Sequence, residues 1–229
     1  MPAALNEAQK ERRDTVMKKM GIIFDMDGTL WDSASGVAKS WTRVVNQEYD
    51  KERVITTEDI QNVMGKTMDK IAEILFPEME EEARLELIDH CGQDENDYLR
   101  EHGGTLYPML EETLQLLSDK YHLYIVSNCQ SGYIEAFLEY YGFGHYFEDM
   151  ECYGNNLLSK GKNIRLVVDR NQLTDAIYVG DIQGDYDATM EAGITFVHAA
   201  YGFGTIAQKT AKISSFAELP KVAAEILGE

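Results

Sequence analysis

The sequence predicts an α/β protein, a doubly wound parallel sheet with a block of helices inserted after its first strand. Three observations carry this prediction. Short apolar runs at 21–24, 121–126 and 176–179 each end abruptly in polar or small residues, as strands buried on both faces do. Helix-period segments separate the runs from residue 107 onward, and such alternation implies parallel strands joined by right-handed crossovers. Residues 33–102 contain no strand-like run and carry apolar residues at helical spacing. The chain therefore divides into an α/β core, residues 1–32 and 105–229, and a helical insert, residues 33–104.

Taken in order, residues 5–19 are charged and read as a helix ahead of the first strand, Gly21 to Phe24. The insert shows its apolar period at Val37, Trp41, Val44 and Val45, again at Ile60, Val63 and Met64, at Ile71, Ile74 and Leu75, and at Leu85, Leu87, Ile88, Tyr98 and Leu99. Gly103 and Gly104 offer a flexible exit. Pro108 suits the start of a helix with Leu110, Leu114 and Leu117 on one face. A strand over 121–126 precedes a helix over 131–141 that stops at Gly142. A weaker strand signal at 149–153 precedes a helix over 160–170. The strand at 176–179 runs into Gly180-Asp181, a helix containing 188–192 stops at Gly193, and 194–197 is a fifth strand.

Composition narrows the function. With 44% hydrophobic and 27% charged residues, the chain reads as an ordinary globular protein. No apolar run approaches the roughly 20 residues that would span a bilayer, and the charged N-terminus lacks the apolar stretch of a signal peptide. The expectation is a cytoplasmic protein with no membrane partner. Cys91, Cys129 and Cys152 are scattered and read as reduced thiols, with no spacing that suits zinc. A formal net charge of −19 with no basic cluster excludes nucleic acid as a partner. It also requires any phosphate chemistry to draw on local positive charge from a metal, a lysine or helix N-termini. Oligomeric state leaves no signature.

Four polar clusters follow the strands. Asp25-Met26-Asp27-Gly28-Thr29 follows the first, Ser127-Asn128 the second, Lys160 and Lys162 the third, and Asp181 with Asp185 the fourth. Open α/β sheets bind ligands past the carboxyl ends of their strands, so clusters distant in sequence should converge. Each alone has a bland reading. Asp-Gly is a common turn pair, Ser-Asn can cap a helix, and lysines are usually solvated. Two carboxylates spaced i, i+2 should repel unless a cation or a shared proton intervenes, which suggests a metal site, a carboxylate nucleophile, or both. Asp181 and Asp185 would share a face if that stretch is helical.

The four clusters together resemble the haloacid dehalogenase superfamily of phosphohydrolases, closest to its branch of phosphoglycolate phosphatases, pyrophosphatases and β-phosphoglucomutases. DMDGTLWDS at 25–33, VSN at 126–128, SKGKNI at 159–164 and VGDIQGDYDATMEAG at 179–193 match the family's motifs in order. The resemblance implies a Rossmann-like core under an α-helical cap, and a phosphatase acting on a small phosphorylated metabolite with Mg²⁺. It implies Asp25 as nucleophile, Asp27 as acid and base, and Asp25, Asp27, Asp181 and Asp185 around the metal. Gly28, Thr29, Ser127, Asn128 and Lys160 would hold the phosphoryl group, with Lys162 the substitute if Lys160 is misplaced. The loop Met64-Gly65-Lys66-Thr67 resembles the substrate-facing loop of related caps, giving Gly65 and Lys66 a role in specificity; a plain helix-connecting loop fits as well. The implied substrate is phosphoglycolate. A phosphomutase or a pyrophosphatase on the same fold, and a receiver-like phospho-acceptor domain, are the alternatives.

Overall fold

The computed structural model describes residues 18–228. The helix expected over 5–19 therefore lies almost wholly outside the described residues. Six strands form one sheet: β1 (Met20–Phe24), β4 (His122–Ser127), β5 (Phe147–Cys152), β6 (Asp175–Gly180), β7 (Thr195–Ala199) and β8 (Ala211–Ile213). Their order is β5-β4-β1-β6-β7-β8, and every pairing is parallel. β1 lies at the centre and its last four residues are buried, which explains its unbroken apolar run. Its side chains still alternate. Ile22 and Phe24 join the larger apolar cluster on one face of the sheet, and Ile23 joins a second cluster on the other.

The smaller cluster is covered by α8 (Lys160–Arg170) and α9 (Gln183–Ala192). The opposite face carries α5 (Leu110–Ser118), α6 (Tyr133–Tyr141) and α10 (Leu219–Leu227). A four-residue turn of helix, α7 (Tyr153–Asn156), follows β5. A two-stranded antiparallel ribbon pairs β2 (Trp31–Asp32) with β3 (Thr105–Leu106). Between its strands lie α1 (Ala34–Glu48), α2 (Thr57–Val63), α3 (Met68–Leu75) and α4 (Glu81–His102). Their apolar faces are continuous with the larger cluster, so the insert shares its core with the sheet rather than forming a separate one. No described helix is long and apolar enough to cross a membrane.

Several sequence expectations shift. Pro108 does not open a helix, because Met109 takes a left-handed conformation (φ 64°) and α5 begins at Leu110. β5 begins earlier than expected, at Phe147, and carries Glu148, Asp149 and Glu151. It is an edge strand, and Arg170 spans Asp149 and Glu151 at 2.5 and 2.7 Å. β8 was not expected; it is three residues long and contains Lys212. Ser127 and Asn128 do not cap the next helix, which starts at Tyr133 behind Gly132.

Candidate active site

Parallel registration aligns the strand ends. Phe24 pairs with Ile125 on one side and Val179 on the other, so Asp25, Ser127 and Asp181 emerge along one edge. The Asp25 amide donates to the Val179 carbonyl at 2.9 Å, holding the chain in sheet geometry up to the acid. Gly28 then turns with φ 81°, and a Cβ there would stand 2.2 Å from Asp181 Oδ2. Only glycine lets the first loop pack this closely on the fourth.

Asp25, Lys160, Asp181 and Asp185 meet in one buried cluster. Lys160 Nζ donates to Asp25 Oδ1 at 2.9 Å and to Asp185 Oδ1 at 2.7 Å. Oxygens of Asp25, Asp181 and Asp185 lie within 4.8 Å of one another, an arrangement able to hold a metal ion. Asp181 Oδ2 accepts the Phe203 amide at 2.7 Å, while its buried Oδ1 has no partner. An unpartnered buried carboxylate oxygen beside two further carboxylates fits a cation better than it fits an apolar wall. Burial first, then the neighbouring Asp185, push Asp25 up to about 7; the same two causes push Asp181 up to about 8. For Lys160 burial opposes the charge, but Asp185 and Asp25 outweigh it and hold the ammonium well above its usual range.

The spacing of Asp181 and Asp185 has a different origin from the one expected. α9 starts at Gln183, so the two acids do not share a helical turn. Asp185 reaches back instead, and its Oδ2 accepts the amides of Asp181 at 3.0 Å and Ile182 at 3.1 Å. It caps the helix with one oxygen and pairs with Lys160 through the other. Lys162 is exposed and stands outside the cluster.

Asp27 occupies a separate setting. Its Oδ1 accepts Ser33 Oγ at 2.6 Å and the Tyr133 hydroxyl at 2.7 Å, and the Tyr133 hydroxyl oxygen lies 2.8 Å from Ser33 Oγ. Burial raises Asp27 to about 6 against the lowering effect of these two hydroxyls. Sequence reasoning missed both partners. Ser33 lies inside the quoted first motif, so a hydroxyl six residues on was the available signal; Tyr133 had none. Thr29 Oγ1 is buried without a partner, and its carbonyl accepts the Tyr201 hydroxyl at 2.8 Å.

Asp27, Ser127, Asn128 and Tyr133 form one wall of a cavity of about 40 Å³, and the insert forms the other. Asn128 Nδ2 donates to the Gly65 carbonyl across it at 2.9 Å, joining the second polar cluster to the insert. Gly65 has φ 78°, and a Cβ there would meet Ile182 Cδ1 at 2.4 Å. The loop thus touches the ends of both β4 and β6. Lys66 also lines the cavity but is exposed.

An acidic, metal-competent pocket at the carboxyl edge of a parallel sheet, roofed by a helical insert, defines a class of α/β enzymes. This chain belongs to the haloacid dehalogenase-like hydrolases, whose family model matches residues 22–199. Among curated proteins it is similar to the phosphoglycolate phosphatase of Vibrio vulnificus, 28% identical over 199 residues, covering 80% of this chain and 84% of that one. It is also similar to that of Aliivibrio fischeri, 26% identical over 194 residues with the same coverage. Among solved structures, a predicted phosphatase from Clostridium acetobutylicum shares the fold at TM-score 0.75 and 24% identity, covering 91% of this chain and 99% of that chain. A haloacid dehalogenase-like hydrolase from Streptococcus pneumoniae does so at TM-score 0.74 and 22% identity, covering 89% and 98%.

Proposed function

We propose that this chain is a Mg²⁺-dependent phosphatase that cleaves a small phosphate monoester through an aspartyl-phosphate on Asp25, with residues 33–104 as its cap. The observation that carries this reading is the division of two neighbouring aspartates between two environments. Asp25 lies among carboxylates bridged by Lys160, and Asp27 is held apart by Ser33 and Tyr133 at the cavity wall. A nucleophile needs its negative charge kept available, and a proton donor must face the leaving oxygen.

In this mechanism an Asp25 carboxylate oxygen attacks phosphorus, and Asp27 gives its proton to the departing alkoxide. Asp27 then accepts a proton from the water that hydrolyses the acyl phosphate. Lys160, Ser127 and the amides of Gly28 and Asn128 hold phosphoryl oxygens as charge develops there. Asp25, the Asp27 carbonyl and Asp181 would hold Mg²⁺, with Asp185 supporting; when bound, the ion supplies positive charge to the phosphoryl oxygens and offsets the crowding of acids. The insert excludes bulk water and meets the leaving group.

Phosphoglycolate is the first substrate to test, on the names of the curated relatives. The experiment is turnover of a monoester panel with and without Mg²⁺, with radiolabelled phosphoryl groups trapped by acid quench. Metal-dependent turnover and an acid-stable, hydroxylamine-labile label lost in Asp25→Asn are expected. Turnover with no label on the protein, or full activity of Asp25→Asn, overturns the reading.

A further inference from the structure

One buried acid has no part in this chemistry. Glu95 sits near the middle of α4, only 4% exposed, on the insert side of the cavity that Asp27 and Tyr133 line from the core. A carboxyl group in such a place ordinarily has a cationic partner. Among the described residues no cation lies within ion-pair distance of Glu95; the Arg43 and Arg100 charges pair elsewhere, with Asp94 and with Asp97 and Glu139. One oxygen is accounted for, since the Trp41 indole N–H donates to Oε2 at 2.6 Å. The Gln130 amide flanks the carboxyl but is committed to Asn96 Oδ1 at 3.0 Å and the Gly92 carbonyl at 3.4 Å. The cavity around it is otherwise largely apolar, with Val37, Ile60 and Ile71 among its walls.

We propose that Glu95 reads the leaving group: its carboxyl donates a hydrogen bond to a second oxygen on a compact two- or three-carbon alcohol whose phosphate ester the core cleaves. This rests on the phosphatase reading above and specifies the substrate class for that site. The geometry selects for size and for an acceptor. The cavity is small, about 40 Å³, and Glu95 is the buried acid of its insert wall. Burial pushes Glu95 up to about 8, so near neutral pH it carries the proton needed to donate. Trp41 fixes the orientation through one oxygen, and the Gln130 amide flanks the carboxyl. A substrate lacking the second oxygen would leave this buried group unmatched, which is the circumstance in which enzymes discriminate most strongly.

The test compares kcat/KM for phosphoglycolate, glycerol 3-phosphate and ethyl phosphate, the last lacking a second oxygen. In the wild type the two oxygenated esters should exceed ethyl phosphate by about tenfold or more. In Glu95→Ala that ratio should collapse toward one, and in Glu95→Gln, which keeps a donor, it should stay within about threefold of wild type. The ratio is independent of the folded fraction, so loss of stability in the alanine variant does not obscure it. A ratio unchanged in Glu95→Ala, or lost equally in Glu95→Gln, overturns the proposal while leaving the phosphatase reading intact. Failure of the wild type to cleave any of the three overturns both.

Discussion

The core wall of the site, at the strand ends, and the insert wall that lines the cavity are built on opposite electrostatic plans. In the core wall, three buried carboxylates that do not themselves line the cavity stand within 4.8 Å of one another, and a buried lysine bridges two of them. In the insert wall, one buried carboxyl stands largely among apolar residues, with no cation among the described residues within ion-pair distance. On the proposed reading, the core wall gathers charge to hold a phosphoryl group and a cation, and every acid there is fixed by a strand end or a helix cap. The insert wall, with its single buried acid, would meet the leaving group, so that reaction and selection would fall to different elements.

The largest effects should come from breaking the core wall. Asp25→Asn should lower turnover at least about a thousandfold, measured with saturating Mg²⁺ and substrate. Its circular dichroism spectrum should be unchanged, because an amide oxygen still accepts from Lys160. Lys160→Met should be the most destabilising single change. It leaves Asp25 and Asp185 facing each other unpaired, a loss of about 3–5 kcal/mol for a broken buried pair. Thermal unfolding should show a Tm lowered by about 10 °C or more, and added Mg²⁺ should recover part of it. An unchanged Tm would show that the lysine bridge is incidental to the core wall.

Asp181→Asn should act through the metal. Its Oδ2 contact with the Phe203 amide can persist, while the unpartnered Oδ1 side loses its charge. The Mg²⁺ concentration for half-maximal activity should rise by about tenfold, with a smaller change in saturated rate. If the Mg²⁺ titration is superimposable on the wild type, Asp181 is not a ligand. Tyr133→Phe should have a milder effect on kcat, since Ser33 still donates to Asp27.

The same division explains what the sequence revealed. The core acids were legible because each strand ends in its own short polar cluster, and parallel topology then brings the clusters together. Lys160 and Lys162 were indistinguishable in sequence; only the first turn of α8 decides which one is buried. Tyr133 meets Asp27 from 106 residues away, and the Phe203 amide that supports Asp181 is backbone, so neither carried a mark. β8 was invisible because three residues containing a lysine do not make an apolar run. Glu95 was the least legible. It sits in a helix dense with Asp89, Asp94 and Asp97, and only the packing of α1 against α4 puts Trp41 across from it.

The smallest effect is the most specific to the insert wall. Glu95 has an ordinary value of 4.5 and is raised by burial to about 8 in the folded protein. Between those values the folded chain holds a proton that the unfolded chain releases. Rising pH therefore favours unfolding through this group, and the penalty is complete above the folded value. Glu95→Gln removes the titration while keeping an oxygen to accept from Trp41. The variant and the wild type should unfold at nearly the same temperature at pH 4, where the carboxyl is largely protonated in both the folded and the unfolded chain. At pH 9 the variant should have the higher Tm, by a margin that is absent at pH 4. Were the difference equal at both values, the carboxyl would have a cationic partner after all, and the two walls would be alike.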